Sequence, residues 1–173
     1  EIDSKKLMAR NHLDRGKLSI QSKQVEFAKE DFQSALNLSE AIEDKLIAVD
    51  ALVALAQIEL ASNSIKKSIE YADKALKIAE ELAYPHQIAD AAYILMNAYD
   101  VKKDYKKAFE YSRIYQSSND TLRSEVNNKM LSELLVEHQT EKQRTEIELL
   151  TTRTNLQDAE IVRNNTQRLA MGG

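Results

Sequence analysis

Three histidines, His12, His86 and His138, are the first side chains to test for chemistry. A metal site needs several ligands at short, regular spacing, as in His-x-x-x-His. None of the three is read as having a second histidine or a carboxylate at such a spacing, so all three are assigned structural roles. His138 lies in Val136-Glu137-His138-Gln139-Thr140, without the acid-arginine or proline neighbours of a phosphoacceptor helix. Serines and threonines are plentiful, but none sits on a Gly-flanked elbow beside a base. The absence of cysteine removes thiolate zinc sites, disulfides and a cysteine nucleophile. Glu80-Glu81 and Glu146/Glu148 stand among Lys and Arg at helical spacing, which describes solvated faces. No loop is built to cradle phosphate. No catalytic residue, cofactor or metal is therefore expected, and the chain is read as a non-enzyme.

The elements that would position any site are helices. Among 173 residues there are only three Gly and one Pro, and two of those glycines, Gly172 and Gly173, end the chain. Turns that need positive φ, and sheets with tight hairpins, are poorly supplied by such a composition. Ala, Leu, Glu, Lys and Gln dominate, and these lose least on entering a helix. The expectation is an all-α chain. Its net charge of −4 is mixed along the length, so no nucleic-acid partner is expected. No apolar run reaches the ~18 residues that span a bilayer. Glu1 begins mid-helix with no signal peptide, as in a soluble piece cut from a longer protein.

Spacing then organises the chain. Tyr105, Ala108, Ser112 and Tyr115 form a ladder that returns about 40 residues earlier as Ile65, Ser68, Ala72 and Ala75, and again as Val25, Ala28, Phe32 and Ala35. Polar breaks at 22–24, 62–64 and 102–104 precede the second helix of each unit. Gly16, Ala56 and Met96 hold matching positions on the first helices, with Leu55 and Leu95 beside the latter two. A small residue lets antiparallel helices approach, and Ala28, Ser68 and Ala108 supply the small partner from the opposite helix. Three units follow, at about 3–41, 43–83 and 85–118, with Pro85 opening the third where its missing N–H is harmless.

This pattern resembles the tetratricopeptide repeats, which the third unit matches at Leu95, Tyr99, Tyr105 and Ala108. The second unit matches at Leu52, Leu55, Ala56, Ile65, Ala72 and Ala75; the first keeps Gly16, Ala28, Phe32 and Ala35 but carries His12 and Arg15 in two large-residue slots. Met96 in a small-residue slot and a period above the usual ~34 depart from the family. The resemblance implies a right-handed α-α superhelix, a tetratricopeptide solenoid of about three hairpins. It also implies a concave face lined by first helices, on which Arg10, Leu13, Lys17 and Ile20, then Asp50, Val53, Gln57 and Leu60, then Asp90, Tyr93, Asn97 and Asp100 point inward. Gln57 and Asn97 would hydrogen-bond an extended peptide, Tyr93 would stack, and the aspartates would attract a cation. Asp90 stands where the family's carboxylate clamp uses a base, so that clamp is not expected.

After Ser117-Ser118-Asn119-Asp120 the character changes to one helix of about 50 residues, spanning 119–171. Its stripe of Leu122, Val126, Met130, Leu131, Leu134 and Leu135 is expected to cover the open end of the repeats. Beyond it, the best heptad row is Leu135, Lys142, Leu149, Leu156, Arg163 and Ala170, a weak seam that calls for a partner helix, such as a homodimer, or for membrane attachment. Residues 141–168 are similar to the linker of Bacteroidetes-type membrane sensor proteins, in which tetratricopeptide repeats precede a charged helix, a membrane span and a histidine kinase or DNA-binding output. That resemblance implies a periplasmic sensor region of an inner-membrane two-component signalling protein, attached just after Arg168, with a protein or peptide ligand. The other readings are a cytosolic scaffold for protein–protein interaction and the repeat domain of a peptide-responsive transcriptional regulator.

Overall fold

The computed structural model describes residues 2–171. Six helices follow one another: α1 (Ile2–Gln21), α2 (Val25–Ala41), α3 (Lys45–Ala61), α4 (Ile65–Glu81), α5 (Pro85–Val101) and α6 (Tyr105–Met171). Consecutive helices pair as hairpins, and α3 packs on α2 as α5 packs on α4. Two compact units divide the chain, Glu1–Ser124 and Glu125–Gly173, and α6 contributes to both.

All five turns are built alike. Lys23, Glu43, Asn63, Ala83 and Lys103, every twentieth residue, take positive φ of 51–60°. At each turn the next residue's N–H returns to the carbonyl five positions back, as Gln24 to Ser19 at 2.8 Å and Asp104 to Tyr99 at 2.9 Å. The positive-φ residue itself bonds three back, as Lys23 to Ile20 at 3.0 Å. These are the paired bonds that close a helix C-terminus around a left-handed residue. Glycine usually fills that position, and the composition had suggested that such turns were in short supply. The chain instead accepts the left-handed strain of ~1–2 kcal/mol on five side-chain-bearing residues, because each turn satisfies two otherwise orphaned carbonyls.

The core follows the repeat. Ala28, Ala35, Leu55, Ala56, Ser68, Ala75, Leu95, Tyr99 and Ala108 are buried, as is Gly16. A Cβ on Gly16 would stand 2.6 Å from Phe32 Cε1, so only glycine lets α1 and α2 close over that ring. The corresponding pairs are Ala56 with Ala72 and Met96 with Ser112. Volume is exchanged between the two sides, which accounts for Met96 in a small-residue slot. Ser68 is buried with its hydroxyl donating to Ala56 O at 2.9 Å, so its polarity is satisfied by the neighbouring helix. Tyr105 departs from this set. It is exposed on the first turn of α6, on a side that no later hairpin covers.

One expectation for the C-terminal part changes. Ser117-Ser118-Asn119-Asp120 is not a boundary: the helix is continuous for 67 residues from Tyr105. No residue there adopts positive φ, and the Thr121 hydroxyl donates back to Ser117 O at 3.1 Å within the helix. Of the stripe expected to cover the repeats, Val126, Met130, Leu131, Leu134 and Leu135 are exposed and Leu122 is half-buried. From Glu125 to Ile161 every side chain is exposed. Ala170 of the heptad row, and the attachment point expected after Arg168, fall outside the residues whose side chains are described.

Candidate functional site

A groove of about 740 Å³ opens on the inner side of the first unit. The faces of α1 and α3 set it up, because a helix rotates ~100° per residue and positions three, four and seven apart share one wall. From α1 come Lys17, Ile20 and Gln21; from α2, Val25 and Phe32. Asp50, Val53, Ala54, Gln57, Ile58 and Ala61 come from α3, and His86, Gln87 and Asp90 from α5. The floor is apolar and the rim carries both charges.

The groove's polar groups are partly pre-set. Gln87 Nε2 donates to Asp50 Oδ1 at 3.2 Å, tying α5 to α3 at the rim. His86 does have a carboxylate at helical spacing, contrary to the reading from sequence. Its Nδ1 lies 3.3 Å from Asp90 Oδ2 on the next turn, with both side chains well exposed. Two groups do not make a metal site, and among the described residues no cluster of three or more potential ligands occurs.

Of the residues expected to point inward, Lys17, Ile20, Asp50, Val53, Gln57 and Asp90 line this groove. Arg10, Leu60, Tyr93, Asn97 and Asp100 do not. Leu13 is buried in the core, on the side of α1 turned toward α2. Asn97 Nδ2 donates to Tyr93 O at 2.9 Å, so its amide serves its own helix. Tyr93 lies against Tyr115 of α6, ring centres 5.4 Å apart, which makes it a contact between helices. The inner wall thus runs over α1 and α3 and reaches the first two turns of α5. The groove also takes Gln21, Val25, Phe32, Ala54, Ile58, Ala61, His86 and Gln87, which offsets of about one residue per turn on the first helices alone leave out.

A second polar constellation lies inside the first hairpin. Asp31, buried on α2, receives Nε of Arg15 at 2.9 and 2.7 Å on its two oxygens and a further bond from Arg15 Nη2. His12 Nδ1 is 2.9 Å from Asp31 Oδ1. The Arg15 guanidinium, opposed by burial and reinforced by His12, holds the Asp31 carboxyl below its ordinary range. No nucleophile adjoins the trio, and its geometry is that of a structural ion pair. Its signal in the sequence was a joint departure: His12, Arg15 and Asp31 stand where the second unit has Leu52, Leu55 and Tyr71.

Between the first two hairpins, buried Glu59 pairs with Lys29 Nζ at 2.6 Å. That ammonium keeps the Glu59 carboxyl low against the opposing effect of burial. Lys6 Nζ similarly lies 2.9 Å from Asp44, which also caps α3 by accepting from Leu46 and Ile47 N–H at 3.2 Å each. Burial works to raise Asp44, but Lys6 and the cap bonds leave it lowered. Lys29–Glu59 ties α2 to α3, Lys6–Asp44 ties α1 to the start of α3, and neither carboxylate lines the groove. Nor is any helix of the described residues long and apolar enough to cross a membrane.

No protein family and no curated protein matches the sequence. Among solved structures, the crystal structure of the TPR domain of Arabidopsis FLU aligns with 68% of this chain and 98% of its own length. The TM-score is 0.63 and the sequence identity 22%. At that identity the likeness speaks for the fold alone: an all-α array of hairpins in the tetratricopeptide manner, ending in a long C-terminal helix.

Proposed function

We propose that this chain is a non-catalytic interaction module that holds an extended segment of a partner protein in the groove between α1, α3 and α5. The fold itself suggests protein–protein interaction. The carrying observation is the groove's make-up. Ile20, Val53 and Ile58 offer apolar contact area, while Lys17, Gln57, Asp50 and Asp90 stand around them to fix a backbone and its charges. Selection of displayed random peptides on the full chain tests this. Peptides recovered on the native chain should lose binding by tenfold or more with Ile20→Glu and Gln57→Ala, both at residues that line the groove outside the buried core. Recovery of none, or binding indifferent to both changes, overturns the reading.

The finer proposal is a sensor region in which α6 relays ligand binding to an output domain of a membrane signalling protein. Leu135, Leu149 and Leu156 support it, because exposed leucines repeating by sevens suit pairing with a second helix, including that of another copy. In the full-length protein, Leu149→Lys with Leu156→Lys should abolish signalling, and unchanged output removes the relay. A cytosolic scaffold with an associating tail accords equally with the fold. Sequence downstream of Gly173 separates the two, since the sensor requires a membrane span of ~20 residues there.

A further inference from the structure

The hairpins provide an internal template for the outer face of α6. On α2, Lys29 meets Glu59 of α3, and Gln33 accepts from the Tyr71 hydroxyl at 3.5 Å. On α4, Ile69 packs at the core's edge, and Asp73 accepts from the Tyr111 hydroxyl at 3.3 Å. One unit later the same two positions are Phe109 and Arg113. Phe109 is 66% exposed. It lines a depression of about 660 Å³ together with Lys106, Glu110, Arg113 and Ser117. The ring and the Arg113 guanidinium thus line one depression on the outer face of α6.

Arg113 stands where Gln33 and Asp73 accept a tyrosine hydroxyl, and its guanidinium only donates. The occupant must bring an acceptor to Arg113 and apolar surface to Phe109.

We propose that the occupant is a second copy of this chain, its α6 laid antiparallel on the first about a two-fold axis between Tyr111 and Ser112. That axis sets Glu110 of each copy opposite Arg113 of the other, giving two reciprocal ion pairs. Each Arg113 stem then crosses the partner copy's Phe109, and both rings fall on the same flank of the axis. Lys106 then faces Ser117. Moving the axis to Ala108 would instead bring Lys103 against Arg113. The face is distinct from the leucine row of the C-terminal part and does not depend on it. A contact of one helix face lies at the small end of specific interfaces, so association is expected at micromolar concentrations.

Light scattering on the size-fractionated full chain, from ~1 to ~200 µM, tests the proposal. The mass should rise with concentration in a step that Phe109→Glu removes. Glu110→Arg alone and Arg113→Glu alone should each weaken it by tenfold or more. The chain carrying both changes should recover it, and an equimolar mixture of the two single variants should associate, because opposite charges again meet. Leu149→Lys with Leu156→Lys should leave this step in place. All the altered side chains are exposed, and equal helical circular dichroism confirms the fold. A mass that does not rise, a step indifferent to Phe109→Glu, or no recovery from the paired reversal overturns the proposal.

Discussion

At one set of equivalent positions the first hairpin carries His12, Arg15 and Asp31, the second Leu52, Leu55 and Tyr71, and the third Ala92, Leu95 and Tyr111. The backbone around them repeats: from α2 onward helices begin twenty residues apart, and the turns share one geometry. What holds the helices differs. In the later hairpins contact comes from buried area, including Tyr111 stacked on Tyr99 with ring centres 5.6 Å apart. In the first, a buried carboxylate draws a guanidinium and an imidazole to itself by directed bonds. The contrast shows that a repeat constrains sets of residues. An isolated change at any of these points would be costly, whereas three made together are accommodated.

Replacing Arg15 by Leu is the most direct way to break this comparison. Asp31 would stay buried with only His12 beside it, and stability should fall measurably. Completing the exchange, with His12→Leu, Arg15→Leu and Asp31→Tyr, should return most of that loss, since the first hairpin would then carry the second's residues. Urea unfolding of the single and triple variants measures both. A triple variant no more stable than the single one would show that the first hairpin requires its polar set.

Gly16→Ala probes the exchange of volume between paired helices. The added carbon meets Phe32, and overpacking of this kind costs ~1–3 kcal/mol. Combining it with Phe32→Ala reproduces the Ala56–Ala72 pair and should be less destabilising than the two single changes added together. Thermal melts of the four proteins in this cycle check it.

pH should act on the hairpins from opposite ends. Asp31 and Glu59 are held below their ordinary ranges, so their stabilisation is complete above about pH 4.5 and drains away as pH falls through the lowered folded values. Tyr111 is the reverse case: burial, with Asp73 nearby, pushes its hydroxyl up to about 12 from 10.0. Its contribution is present below pH 10 and is lost as pH rises toward the folded value. Melts across pH should therefore show an acid slope reduced by Asp31→Asn and an alkaline slope reduced by Tyr111→Phe. The smallest expected effect is at the turns, where Ala83→Gly should stabilise by ~0.5–1 kcal/mol by relieving positive φ.

Periodicity in the sequence placed the starts of the second helices but not the course of α6, which runs unbroken through 117–120. The second helices of the hairpins start at Val25, Ile65 and Tyr105, where polar breaks and small-residue ladders coincide. Contacts between hairpin partners were harder to read. Arg15 and Asp31 are sixteen residues apart on different helices, and only comparison across units exposes them as a matched change. The left-handed turn residues were hidden because Lys, Glu, Asn, Ala and Lys share no side-chain chemistry; their backbone state is imposed by the carbonyls they cap. Lys17, Ile20, Asp50, Val53, Gln57 and Asp90 of the expected inward set line the groove, whereas Tyr93 and Asn97 are engaged by their own surroundings.

The even spacing of those turns makes the chain modular in a practical sense. Residues 45–84 start just after one left-handed turn and end just after another of the same kind. A tandem copy of that stretch would rejoin its neighbours with every side chain in phase. The array could in this way be lengthened by cutting and pasting, without the redesign of a single junction.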